Sequence, residues 1–124
     1  MHLRPRQRLR TGAEFDTVFR RGTRLDGRLF LLVALPNGRS FDRLGLAVSR
    51  RVGGAVGRNR ARRLVRESFR RVERPPGPGF DLVVVARAPL AGRGQAEVDR
   101  ELRERVRRLP RPSGVGGAAS PPPR

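Results

Sequence analysis

The segment from Ala55 to Val72 constrains this chain more than any other. Ala61, Leu64, Val65, Ser68, Phe69 and Val72 recur at spacings of three and four, which makes one apolar stripe of a helix. Asn59, Arg60, Arg62, Arg63, Arg66 and Arg70 fall on the opposite arc. Such a helix has one face to bury and one face of guanidiniums. Strand-like segments flank it. Leu44, Leu46 and Val48 alternate with Gly45, Ala47 and Ser49 before it, and a Val-rich run from Phe80 to Ala86 follows it. A helix between two strands points to a crossover within one sheet.

The remaining patterns fill in around this unit. Thr11-Gly12-Ala13-Glu14 reads as a capping box, in which the Thr hydroxyl accepts from the Glu14 amide and the carboxylate reaches back. Behind it Phe15, Val18 and Phe19 share one face of a short helix, and Gly22 suits its end. Leu29 to Leu35 is a continuous apolar run closed by Pro36-Asn37-Gly38, which predicts a buried strand and a turn. Arg74-Pro75-Pro76-Gly77-Pro78-Gly79 breaks the long helix. Gln95 to Leu109 reads as a last helix, with Glu101–Arg105 and Glu104–Arg108 as ion pairs at helical spacing. The expected order is helix, strand, strand, helix, strand, helix, in a single α+β domain over residues 11–109. A basic arm, residues 1–10, precedes it. A Pro/Gly-rich tail, residues 110–124, has nothing to bury and is expected to be disordered.

Charge narrows the partner. There are 29 Lys+Arg against 11 Asp+Glu, a formal charge of +18. A surface this positive repels itself, and a polyanion is its natural complement. Every one of these cations is arginine, which forks onto phosphate and stacks on bases. A GC-rich coding bias is the better account of the missing lysine, and a nucleic acid partner is the better account of the net charge. Cysteine is absent, so disulfides and thiolate metal sites are excluded. No apolar run reaches the ~18 residues of a membrane span. Met1 to Arg10 is basic but leads into no apolar stretch, so it does not read as a secretory signal, and a cytoplasmic location is expected.

The placement of charge says more than its amount. Arg58, Arg60, Arg62 and Arg63 lie in the first turns of the long helix, where the helix dipole is already positive. Cations there are disfavoured by ~0.3–1 kcal/mol each. Bound phosphate would relieve that repulsion, using free amides as well as guanidiniums. The bland alternative is a solvated basic face, but such faces usually mix both signs and this one carries only Glu67. For Phe15 and Phe19 the first reading is core packing, and the second is a platform for unpaired bases.

Groups for catalysis are missing. His2 lies in the basic arm, and Asp16, Asp26, Asp42 and Asp81 are scattered singly. Glu97, Asp99, Glu101 and Glu104 stand near one another among arginines, with Asp99 turned away from Glu101 on a helix. Ser49 has no histidine to activate it. Gly53, Gly54 and Gly57 precede a helix without the Lys-Ser/Thr of a phosphate-binding loop. No catalytic residue and no metal ligand is assigned.

One ordered signature carries a family resemblance. Val48-Ser49-Arg50-Arg51, then Gly53, Ala55-Val56, Arg58-Asn59-Arg60, Arg62-Arg63-Leu64 and Arg66-Glu67 resembles the signature of the protein component of bacterial ribonuclease P. Leu9-Arg10, Phe15, Phe19, Arg21-Gly22, Phe30 and Asp81 to Arg87 stand at matching spacing, so the resemblance runs from about Leu9 to Arg108. Gly54 stands where many members have a capping Asn. Gly57 in the first turn weakens that end by ~1 kcal/mol. The chain also has no Tyr where an aromatic is common near the far end of the first strand.

The resemblance implies a central mixed β-sheet with helices, ribosomal protein S5 domain 2-like, with a left-handed βαβ crossover where the general rule expects a right-handed one in ~98% of cases. It implies an RNA-catalysed, magnesium-dependent endonuclease that removes the 5′ leader of precursor tRNA. In it the protein holds no cofactor of its own and binds two partners, the ribonuclease P RNA and the precursor tRNA. Carried over by position, Arg50, Arg51, Arg58, Asn59, Arg60, Arg62, Arg63 and Arg66 would contact RNA, and Phe15 and Phe19 would line the leader cleft. A ribosomal or other structural RNA-binding protein fits the charge equally but not the ordered signature. A protein-only nuclease would need an acid cluster, and a DNA-compacting protein would need no leader cleft.

Overall fold

The computed structural model describes residues 7–73 and 77–109; the expected tail and most of the expected arm lie outside them. The chain runs α1 (Gly12–Arg21), β1 (Thr23–Leu25), β2 (Phe30–Pro36), β3 (Arg43–Ala47), α2 (Ala55–Arg71), β4 (Phe80–Ala86) and α3 (Gln95–Arg107). Short 3₁₀ turns at Arg50–Val52 and Ala88–Gly92 precede α2 and α3. The strands form one mixed sheet in the order β1-β2-β4-β3. β2 pairs antiparallel with β1 and β4, and β3 pairs parallel with β4, so α2 is the crossover between adjacent parallel strands.

Each face of the sheet has its own core. On one side Phe30, Leu32, Ala34, Leu44, Leu82 and Val84 pack against α2 and α3. The apolar stripe read from the sequence does this work: Ala61, Leu64, Val65, Ser68, Phe69 and Val72 are all buried. On the other side Val33 and Val83 meet Leu9 and Val18, with Phe15, Phe19, Leu31, Leu35 and Val85 half-buried around them. Both central strands are therefore apolar on both faces, which is why Leu29 to Leu35 and Phe80 to Ala86 read as continuous runs.

The structure corrects two details and explains a third. β1 was not expected; three residues with an arginine in the middle leave no readable period, and pairing with β2 (Thr23↔Ala34 to Leu25↔Leu32) defines it. Gly22 ends α1, as expected, in extended conformation (φ −81°, ψ 164°). Close packing is what demands glycine there, since a Cβ would lie 2.6 Å from the Val18 carbonyl and 2.8 Å from Val33 Cγ1. The two ion pairs expected on the last helix are replaced. Glu101 Oε2 accepts from the amides of Leu29 (2.9 Å) and Phe30 (3.2 Å), and Glu104 pairs with Arg105 at 3.4 Å. Two backbone donors at the start of a strand take Glu101, because an unpaired buried amide costs more than an ion pair on a helix surface contributes, and Arg105 donates instead to the Asp26 carbonyl at 2.9 Å.

Candidate nucleic-acid interface

The residues singled out from sequence fall on opposite faces of the sheet. Arg50 and Arg51 are exposed on the 3₁₀ turn that leads into α2, with the Ser49 hydroxyl accepting from the Arg51 amide at 3.3 Å. On α2, Asn59, Arg60 and Arg63 are exposed, and Arg58, Arg62 and Arg66 are half-buried. Gly54 caps this helix without a side-chain hydrogen bond, and its first turn holds no acid. Its free amides and its arginines thus present positive charge together.

The arginines of α2 are not equivalent. Arg70 is paired with Glu67, and Arg71 lies 3.4 Å from Asp99. Arg58 donates to the Gly53 carbonyl (3.0 Å), which steadies the turn before the helix. Arg60 donates through Nε to the Ala91 carbonyl (2.7 Å) and through Nη2 to that of Arg93 (2.9 Å), so it clasps the 88–93 segment to α2. Three of its five N–H donors remain for another partner. Arg62 is aimed by Asn59, whose Oδ1 accepts from its Nη1 at 3.0 Å. Arg62, Arg63 and Arg66 have no carboxylate partner among the described residues. Burial, and then the neighbouring Arg8 and Arg62 charges, push the Arg66 pKa down from its ordinary value.

The second surface lies where α1 crosses the other face. Phe15 and Phe19 are half-buried there, beside half-buried Leu31 and Val85. The Phe15 ring passes over β3 at Gly45, where a Cβ would meet Phe15 Cζ at 2.7 Å. The rings pack on the sheet and still reach solvent. Arg24, which the sequence reading passed over, stands at the far end of this surface. It donates to the Phe19 carbonyl (3.1 Å), and its Cζ is 6.0 Å from the Phe19 ring centroid. Only the β1–β2 register places it there, five residues beyond Phe19.

The N-terminus of α1 is bolted to the sheet. The capping box is complete, with Glu14 N donating to Thr11 Oγ1 and Thr11 N to Glu14 Oε1, each at 3.1 Å. The other oxygen of Glu14 accepts from Arg43 Nη1 at 3.2 Å, and Arg43 grips Asp81 through Nε (2.8 Å) and Nη2 (2.7 Å). Asn37 adds a hydrogen bond to Asp81 at 2.8 Å. Backbone hydrogen bonds from Arg10 and Thr11 hold the Glu14 pKa low, helped by Arg43. Burial raises that of Asp81, but the bonds from Arg43 and Asn37 outweigh it and the net direction is down.

Two further acids serve the fold. Asp99 is buried between α2 and α3, where it accepts from Ser68 and from Gln95 (3.1 Å). Asp42 accepts from the Phe80 amide at 2.7 Å. Among the described residues no three carboxylate or histidine side chains converge as metal ligands.

Residues 3–110 match the model of the family described as Ribonuclease P. The chain belongs to the ribonuclease P protein family. The ribonuclease P protein component of Roseiflexus castenholzii is 42% identical over 118 residues, covering 94% of this chain and 93% of the relative. That of Shouchella clausii is 46% identical over 88 residues, covering 70% and 72%. The ribonuclease P protein from Thermotoga maritima superposes with a TM-score of 0.72 at 33% identity, over 82% of this chain and 96% of that one. These matches take in β3, α2 and β4, where the ordered arginine signature stands. The mixed sheet with its α2 crossover is thus the fold of ribonuclease P proteins.

Proposed function

We propose that this chain binds the catalytic RNA of ribonuclease P with α2 and the single-stranded 5′ leader of precursor tRNA with the α1 face of the sheet. The observation that carries this is the set of guanidiniums at Arg62, Arg63 and Arg66, which no carboxylate of the described fold neutralises. Phosphate is the group that matches them in charge and geometry. Arg50, Arg51 and Arg58 extend that face toward the open N-terminus of α2, and Asn59 aims Arg62. Phe15 and Phe19, with Arg24 beside them, offer stacking surface and one positive charge to an unpaired strand.

In this reading the protein performs no chemistry on the phosphodiester bond. Glu14, Asp81, Asp99 and Glu101 are occupied in a cap, an ion pair and buried hydrogen bonds. Arginine stabilises developing negative charge but neither holds magnesium nor accepts a proton. Magnesium and the reacting oxygens belong to the RNA. The protein neutralises phosphates that would otherwise need metal ions, so it lowers the magnesium that the RNA requires. The membership of the chain in its family and the separation of a phosphate face from an apolar face both support this division.

The test is the salt dependence of binding to ribonuclease P RNA. Neutralising one phosphate contact changes the slope of log K against log salt by ~0.7–0.9. Arg62→Gln, Arg63→Gln and Arg66→Gln are each expected to flatten the slope by that amount. An unchanged slope for all three would return α2 to a merely solvated face.

A further inference from the structure

The two surfaces are joined by two residues of the N-terminal arm. Arg8 forms a parallel bridge to Leu44, and the Leu9 amide donates to the Leu44 carbonyl at 3.0 Å, so residues 8 and 9 run along the outer edge of β3. Successive residues of an extended chain face opposite sides of a sheet. Leu9 drops into the α1 side, where it is buried with Val18, Val33 and Val83; its Cδ1 lies 3.0 Å from a Cβ built on Gly45, the same spot the Phe15 ring covers. Arg8 goes to the α2 side. There it lines a cavity of about 440 Å³ together with Arg60, Arg63, Arg66, Glu67 and Gln95.

This cavity has an excess of cation that the fold does not balance. Its one carboxylate, Glu67, is paired with Arg70. Arg60 is tied to two carbonyls. Arg8, Arg63 and Arg66 have no carboxylate partner among the described residues. Laying Arg8 beside these charges opposes its docking, and on this side the backbone pairing with Leu44 at the strand edge holds it. A phosphate between the guanidiniums reverses the sign, because each arginine then meets an anion and not its like.

We propose that Arg8 and α2 form one phosphate-binding pocket, and that an RNA phosphate seated there fastens the arm to the edge of β3. Leu9 follows Arg8 in the same extended segment, so fastening one seats the other. The arm is then a two-position element whose docked state both surfaces favour: RNA at α2 completes the apolar wall beside Phe15, and a strand held at Phe15 strengthens the hold at α2. The inference rests on the reading of α2 as an RNA-binding face and adds Arg8 as a further contact and the arm as the link.

Hydrogen exchange on the full chain tests it. The Leu9 amide reports docking of the arm, and the Val83 and Val84 amides of β4 report the whole fold. Inorganic phosphate is added at constant ionic strength in one arm of the experiment, and ribonuclease P RNA in another. Both are expected to slow exchange at Leu9 by about fivefold or more beyond any change at Val83 and Val84. Arg8→Gln, a substitution at an exposed position, is expected to remove that excess while the β4 amides stay protected. Protection by RNA alone that is lost in Arg8→Gln keeps the pocket and identifies a phosphodiester, not free phosphate, as its ligand. Protection by phosphate but not by RNA overturns the proposal. So does a gain at Leu9 no larger than at β4, or one that survives Arg8→Gln. These outcomes leave the salt slopes of Arg62 and Arg63 untouched, so failure of the arm and failure of the RNA-binding reading are told apart.

Discussion

The ring of Phe15 lies over Gly45, so close that a Cβ at position 45 would sit 2.7 Å from its Cζ and 2.9 Å from its Cε2. Gly45 makes room on this face of β3 for an aromatic from α1. Gly45→Ala must lift the ring or shift the strand, at a cost of ~1–3 kcal/mol. The expected result is lower stability and a reduced preference for leader-bearing over mature tRNA. The salt slope of binding to ribonuclease P RNA should not change. Unaltered stability and unaltered preference in Gly45→Ala would show that the contact does not shape the surface.

Truncating the ring asks the complementary question. Phe15→Ala is expected to weaken binding of leader-bearing substrate by ~1–3 kcal/mol if a base stacks there. Mature tRNA should bind as before. Equal weakening of both substrates, in a protein still folded by circular dichroism, would make Phe15 core and nothing more.

The chain from Glu14 through Arg43 to Asp81 gives the fold an acid sensitivity of known sign. Both carboxyls are held below their ordinary values of 4.5 and 3.8. Groups lowered in this way contribute stability in full above the unfolded values, and that contribution is lost as pH falls through the folded ones. Thermal stability should therefore drop below about pH 4 in the wild type. Asp81→Asn is expected to cost about 1.5–3 kcal/mol at neutral pH, since Arg43 loses its two-pronged carboxylate partner in a half-buried site and keeps only Glu14, and to flatten the acid limb. An acid limb of unchanged steepness in this variant would assign the sensitivity elsewhere.

Arg60 and Arg62 should separate structure from binding. Arg60→Gln breaks two hydrogen bonds to the 88–93 segment and is expected to lower stability by ~1–3 kcal/mol, with faster amide exchange in that segment. Arg62→Gln is expected to leave stability within ~0.5 kcal/mol and to flatten the RNA salt slope. Equal effects of the two variants on stability would contradict the assignment of Arg60 as a clasp.

The sequence made the long elements legible because burial writes a period. The stripe of α2, the capping box at Thr11 and Glu14, and the run Phe80 to Ala86 all follow from side chains that must face a core or complete a helix end. The family signature located the arginine face. Features that depend on distant pairing were not legible. Arg60 meets carbonyls 31 and 33 residues away, and Glu101 meets amides 72 and 71 residues away. No local pattern announces either. Arg8 and Leu9 looked like part of a uniformly basic arm, and only the edge of β3 sends them to opposite faces. Asp99 read as one acid among arginines because helical spacing does not reveal Ser68 and Gln95 across the helix pair.

Which subunit cuts the phosphodiester bond decides between an RNA catalyst and a protein one. A cleavage assay on precursor tRNA with neither subunit, with each alone and with both tests it most directly. This protein alone should cleave nothing at any magnesium concentration, the matching RNA should cleave at high magnesium, and the two together should cleave at lower magnesium. Site-specific cleavage by RNA-free protein, abolished by substituting one of its Asp or Glu residues, would contradict the account.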